Sequence, residues 1–131
     1  MKLDHVGLAV KSIEASSKLY RGYLKLGDGE REELPGERVR VAFFDAGALQ
    51  IELLEPIGMD GPLARFLATR GEGMHHLAFA VGDLRRAIEE AVAAGYRPVD
   101  PNPRRGSGGR LIAFIHPSTT HGVLIELIQP L

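Results

Sequence analysis

The residues best suited to chemistry in this chain are His5, Glu52, His76 and Glu126. Each histidine heads a short alternating stretch. In His5-Val6-Gly7-Leu8-Ala9-Val10 the bulky Val6, Leu8 and Val10 alternate with His5, Gly7 and Ala9. In His76-Leu77-Ala78-Phe79-Ala80-Val81 the bulky Leu77, Phe79 and Val81 alternate with His76, Ala78 and Ala80. Period-two alternation predicts a strand. Each strand thus has one bulky face and one face where a histidine is followed by two small residues, which leaves room for something else. Each glutamate sits in an aliphatic run that stops at a proline: Leu49-Gln50-Ile51-Glu52-Leu53-Leu54-Glu55-Pro56 and Val123-Leu124-Ile125-Glu126-Leu127-Ile128-Gln129-Pro130. Proline cannot donate to a strand ladder, so both runs read as strands ending there. Neutral imidazole and carboxylate form a mixed nitrogen and oxygen donor set suited to divalent Zn, Mn, Co, Ni or Fe. Such a set leaves one or two positions for a substrate oxygen, where the ion stabilises developing negative charge. Two carboxylates reaching a planar enolate from opposite faces could remove a proton on one side and return one on the other.

The elements that position these side chains occur twice. After the first strand, Ser12 is an N-cap for a helix running to about Leu24. Glu30–Leu34 reads as a charged edge strand, Pro35-Gly36 as a turn, Val39–Asp45 as a strand, and Leu49–Glu55 as the strand bearing Glu52. The second copy has Asp83 capping a helix over Leu84–Ala94, with Gly95 as its stop. A short strand is expected over Arg97–Asp100, a loop over Pro101–Gly109, and strands over Leu111–Ile115 and Val123–Ile128. Both copies are βαβββ. The expected organisation is a single domain over 1–131, with module 1 at about 1–56, a connector at 57–72 and module 2 at about 73–131. The connector carries a short helical pattern with Leu63, Phe66 and Leu67 on one side. The fold class expected is α+β: two tandem βαβββ modules forming a curved mixed sheet around a metal cleft, with helices on the convex face. Taken singly, a strand histidine is most often a hydrogen-bonded core residue and a strand glutamate an exposed edge. Their matched placement in two copies is what marks them as a site.

Bulk properties narrow the possibilities. The 131 residues suit one compact unit, and 44% hydrophobic residues suit a globular domain. A net charge of −1 gives no electrostatic case for nucleic acid or an anionic membrane. No stretch resembles a signal peptide or reaches transmembrane length. Cysteine is absent, which removes thiolate nucleophiles, disulfides and a closed cysteine zinc site, and fits a cytoplasmic protein.

The duplication, with histidine in each first strand and glutamate in each last strand, resembles the vicinal oxygen chelate (glyoxalase) superfamily. Within it the chain is most similar to the methylmalonyl-CoA epimerase family. The stretches that carry the resemblance are His5–Lys11, Val41-Ala42-Phe43, Ile51–Pro56, Arg70–Phe79, His116-Pro117 and Gly122–Leu127. The resemblance implies a divalent metal ion held by His5, Glu52, His76 and Glu126, an acyl-CoA substrate bound through its thioester and carboxylate oxygens, and a homodimer. It also implies interconversion of the two epimers at C2, with Glu126 as one proton carrier. Some members carry an extra glutamate base where this chain has Val41, and glutamine where it has Glu52, so Glu52 is expected to serve as ligand and second base. Ser118 and His121 stand where the family often has lysine and glycine.

His75 should point away from His76 and be structural, and His116 should anchor its loop. Arg104, Arg105 and Arg110 flank a glycine-rich segment and could meet CoA phosphates or simply solvent. Two other activities fit the same fold: a lactoylglutathione lyase using the same four ligands, and a non-catalytic drug-binding resistance module, which would not need a complete set of two histidines and two carboxylates. An extradiol dioxygenase needs only one carboxylate and usually a longer chain.

Overall fold

The structure is a computed structural model that describes residues Met1–Leu131. It divides into two compact units, His5–His75 on one hand and His76–Leu131 with Met1–Asp4 on the other.

In the first half, β1 (Lys2–Ala9), β2 (Glu30–Leu34), β3 (Val39–Asp45) and β4 (Gln50–Pro56) lie in the order β2-β3-β4-β1. β1 runs parallel to β4, and β2, β3 and β4 are antiparallel neighbours. The alternation read from the sequence is realised. Val10, Ala42, Phe44 and Leu53 face α1 (Ile13–Ser17) and pack on Ile13, while Ala9, Val41 and Leu54 face the other way. Ser12 caps α1 as expected, its hydroxyl accepting from the Ala15 N–H at 3.1 Å. The helix does not keep its winding to Leu24. The Ser17 hydroxyl donates to the Ile13 carbonyl at 2.6 Å, and Lys18–Tyr23 continues as a π-helical turn closed by Leu24 N–H donating to Leu19 O at 2.8 Å. Tyr20 of that turn leans on Phe44, with ring centroids 5.7 Å apart, and burial raises its hydroxyl pKa.

The connector helix α2 (Pro62–Arg70) departs from the expectation that helices lie on one face. Leu63, Phe66 and Leu67 pack against Ala9, Val41, Phe43 and Leu54. Those residues share strand parity with Glu52, so in the first half both sheet faces are covered.

In the second half, β5 (Gly73–Ala80), β6 (Arg104–Arg105), β7 (Leu111–Ile115) and β8 (Ile125–Gln129) lie in the order β5-β8-β7-β6. β5 is parallel to β8, and β7 is antiparallel to both β8 and β6. Helix α3 (Leu84–Ala93), capped by Asp83 accepting from Arg86 N–H at 3.2 Å, buries Leu84, Ala87 and Ile88 against Val81, Ala113, Ile115 and Leu127. The strand expected over Arg97–Asp100 is reduced to one bridge, Pro98 with Ile115. Its flanking backbone still reaches β7, through Val99 N–H to Phe114 O (2.8 Å) and His116 N–H to Arg97 O (2.7 Å). Pro98 and Pro101 lack the donors a regular ladder needs. The pairing partner of β7 is instead Arg104–Arg105, inside the segment expected to be a loop.

One fastening is repeated. The last residue before each strand-ending proline reaches the helix of its own half: Glu55 Oε1 accepts from Ile13 N–H, and Gln129 Oε1 accepts from Leu84 N–H, both at 2.9 Å. Each satisfies a backbone donor that a helix start leaves orphaned.

Gly106 is buried against Ile112, where an added Cβ would stand 2.8 Å from Ile112 Cδ1 and 3.0 Å from its Cγ2. Gly106→Ala is expected to lower stability by about 1–3 kcal/mol in urea unfolding through overpacking. Adding Ile112→Val should recover part of that loss, and strictly additive effects would contradict the contact.

Candidate metal site

Each half places one histidine and one glutamate on the same sheet face, and the backbone register explains how. In the first half Glu52 of β4 stands opposite Gly7 of β1 and Phe43 of β3. In the second half Glu126 of β8 stands opposite Ala78 of β5 and Phe114 of β7. The histidine lies two residues before the small residue in each case, on the same face. A glycine or alanine beside each glutamate leaves the histidine room to reach it. Both lie on the histidine face of the alternating stretches read in the sequence.

The four side chains are buried: His5 is 1% exposed, Glu52 5%, His76 4% and Glu126 7%. His5 Nε2 lies 3.0 Å from Glu52 Oε2, and His76 Nε2 lies 3.5 Å from Glu126 Oε1. His76 is also met edge-on by Phe114, with centroids 5.9 Å apart and planes at 88°. The first contact is short, yet the buried Glu52 Oε2 has no hydrogen-bond donor directed at it. A buried carboxylate oxygen in that state is costly unless a cation satisfies it.

His5, Glu52 and His76 form a group that could hold a metal ion, with ligand-capable atoms all within 4.8 Å of one another. Imidazole nitrogen and carboxylate oxygen suit a divalent first-row metal. With bonds of about 2.0–2.2 Å, adjacent ligand atoms on one ion stand roughly 3 Å apart, as the His5 and Glu52 atoms do. The donor types, burial and orphaned oxygen therefore fit a divalent ion. Glu126 adjoins this group through His76.

The neighbouring residues sort as follows. His75 packs edge-on against Phe66 of α2, with centroids 4.8 Å apart, and is absent from the metal-capable group, in keeping with a structural role. His116 anchors its loop, with Nδ1 accepting from Ser118 N–H at 3.0 Å and its carbonyl accepting from the Thr119 hydroxyl, also at 3.0 Å. Val41 is buried among Ala9, Leu54 and Leu63 and brings no ionisable group to the Glu52 face. His121 sits in a left-handed conformation at φ 60°, in the loop before β8. Two features were missed in the sequence: the Asp4–Arg110 ion pair at 3.3 Å, which ties the residue before His5 to the residue before β7, and the placement of Arg104 over Phe114, 5.6 Å from its centroid. Neither has a local sequence signal, because the partners are distant in the chain.

The sequence profile of the Glyoxalase/Bleomycin resistance protein/Dioxygenase superfamily matches residues 4–114. The chain belongs to that superfamily. Its fold is the expected α+β vicinal oxygen chelate fold of two βαβββ modules. The Bacillus subtilis protein YqjC is 40% identical over 98% of this chain and 92% of its own. The ethylmalonyl-CoA/methylmalonyl-CoA epimerase of Cereibacter sphaeroides is 35% identical over 98% of this chain and 97% of its own. Among solved structures, the Streptomyces coelicolor methylmalonyl-CoA epimerase in complex with 2-nitronate-propionyl-CoA superposes with a TM-score of 0.92 at 35% identity, covering 98% of this chain and 96% of the other. No helix is long and apolar enough to cross a membrane.

Purified protein is expected to carry one divalent metal per chain by elemental analysis. His76→Ala should lose it while His75→Ala keeps it, and the reverse result would overturn the face assignment.

Proposed function

We propose that this chain is a metal-dependent epimerase that interconverts (R)- and (S)-methylmalonyl-CoA by proton transfer at C2. The whole chain, 1–131, acts as one domain in this reading, with His5, Glu52, His76 and Glu126 as the ligands of one divalent ion. The observation that carries it is the repeated, buried histidine–glutamate pair, in a chain that resembles an epimerase solved with an acyl-CoA analogue over nearly its full length.

When bound, a divalent ion supplies a Lewis acid that stabilises negative charge developing on a substrate oxygen. The chain's own residues supply the rest. His5 and His76 fix the set, each held against the glutamate of its own half. Glu52 and Glu126 move the protons. One carboxylate accepts the C2 proton, the other, protonated, delivers a proton to the opposite face of the enolate, and the roles exchange in the reverse direction. Val41 brings no base to its position, and in this reading Glu52 is the second proton carrier. Phe43 and Gly7 flank Glu52, and Phe114 and Ala78 flank Glu126, so each carboxylate has an aromatic neighbour on one side and a small residue on the other.

In this reading the enzyme works in the cytoplasm. The reading also takes the working unit to be a homodimer. Large apolar side chains remain exposed on each half, Leu19, Tyr23 and Leu24 on one and Val92, Tyr96 and Val99 on the other. Light scattering at micromolar concentration is expected to give twice the 14.2 kDa chain mass, and a monomer would refute the dimer.

The decisive experiment is incubation of the metal-loaded protein with methylmalonyl-CoA in D₂O, following exchange and inversion at C2 by NMR. Glu52→Gln keeps an oxygen ligand and loses basicity. It should retain most of the metal yet lose epimerase activity by roughly 10²- to 10⁴-fold. One epimer should still exchange its C2 proton with solvent without inverting. Full activity in metal-loaded Glu52→Gln would rule out the two-glutamate mechanism.

A further inference from the structure

The arginines of the glycine-rich segment are not used by the chemistry above, and the structure separates them. Arg110 pairs with Asp4 at 3.3 Å, and Arg105 donates to the Gly109 carbonyl at 2.6 Å. Arg104 stands elsewhere. It is the register partner of Ile112, so it shares a sheet face with Ile112 and Phe114 and, through the pairing of Phe114 with Glu126, with the catalytic carboxylate. Strands β6 and β8 are two spacings of about 4.8 Å apart. The Arg104 side chain extends over Phe114, its guanidinium carbon 5.6 Å from the ring centre, while Asp100 braces it at 3.0 Å. The same ring meets His76 at 5.9 Å. A partly exposed cation therefore stands one aromatic ring away from the His76–Glu126 pair.

We propose that Arg104 is a specificity-determining residue that binds the free carboxylate of the substrate, so that the site prefers acyl thioesters carrying a carboxylate on the reacting carbon. This rests on the epimerase reading. That carboxylate is attached to the carbon whose proton moves, so it must lie close to Glu52 and Glu126. The phosphates of CoA lie at the far end of the pantetheine arm. A guanidinium one ring away from His76, on the sheet face that carries Glu126, is placed for the first group rather than the second. The Arg104 guanidinium can donate to the carboxylate oxygen left outside the metal chelate, and the Phe114 ring lies beside it at 5.6 Å. The charge also has a chemical use. Removing the C2 proton builds negative charge next to an existing carboxylate, and a cation on that carboxylate reduces the repulsion.

The test measures dissociation constants of methylmalonyl-CoA and propionyl-CoA by calorimetry on the metal-loaded full chain, as wild type, Arg104→Ala, Arg104→Lys and Arg105→Ala. Arg104→Ala should weaken methylmalonyl-CoA roughly 10- to 100-fold and leave propionyl-CoA within about twofold. Arg104→Lys keeps the charge without the guanidinium and should fall between, and Arg105→Ala should track wild type. Metal content and circular dichroism report whether each variant is folded, and if the alanine variant is not, the lysine variant decides. Equal weakening of both ligands would assign Arg104 to the CoA nucleotide and overturn the proposal. No weakening of either would overturn it as well. A wild-type chain that binds both ligands but does not epimerise would sink the epimerase reading, whereas the carboxylate assignment would still stand or fall on the selectivity of the Arg104 variants.

Discussion

A buried carboxylate beside a buried imidazole is the constraint around which each half is arranged. Removing an ionised group from water is costly unless a partner or a cation compensates. Here the two partners sit on parallel strands, His5 with Glu52 and His76 with Glu126, so the pairs exist only where β1 meets β4 and β5 meets β8. Small residues at Gly7 and Ala78 and an aromatic at Phe43 and Phe114 flank the two glutamates in the same order. Shifting either strand by one residue would turn every one of these side chains to the opposite face. Register is thus the quantity on which the site depends.

Register is in turn held by features outside the site. Val10 N–H donates to Leu54 O at 2.9 Å and Val81 N–H to Ile128 O at 2.8 Å, which extends each parallel pair past its last strand residue. The side chains of Glu55 and Gln129 then fasten the end of the glutamate strand to the start of the helix in the same half. Glu55 has a second duty, accepting from Arg40 at 2.9 Å, and Arg40 also bridges to Glu33 on the edge strand at 3.0 Å. Exposed pairs of this kind contribute little to stability. Their effect is on alignment, since they join neighbouring strands of the half that bears His5 and Glu52.

The two halves differ in what covers the glutamate face. In the first, α2 seals it with Leu63, Phe66 and Leu67. In the second, only Ala78, Ile112 and Ile128 form the buried cluster there, with Phe114 at its margin and Arg104 over that ring. One copy of the duplicated unit therefore holds its histidine–glutamate pair on a face closed by apolar side chains, and the other holds its pair beside an aromatic and a cation.

The sequence by itself determined the duplication, the strand faces, the helix caps at Ser12 and Asp83, and the two matched histidine–glutamate positions. All of these follow from period-two alternation, side-chain capping chemistry and the missing donor of proline, which act over a few residues. The tertiary structure decided which partners meet across long separations. Arg110 finds Asp4 over 106 positions, and the helix starts find Glu55 and Gln129 over 42 and 45. It also moved the outer strand from Arg97–Asp100 to Arg104–Arg105, because prolines interrupt the first segment and Gly106 lets the second lie close to Ile112. Local patterning fixes which face a side chain occupies. Which of several arginines shares that face with a buried glutamate depends on strand pairing and packing, and no local pattern in the chain encodes it.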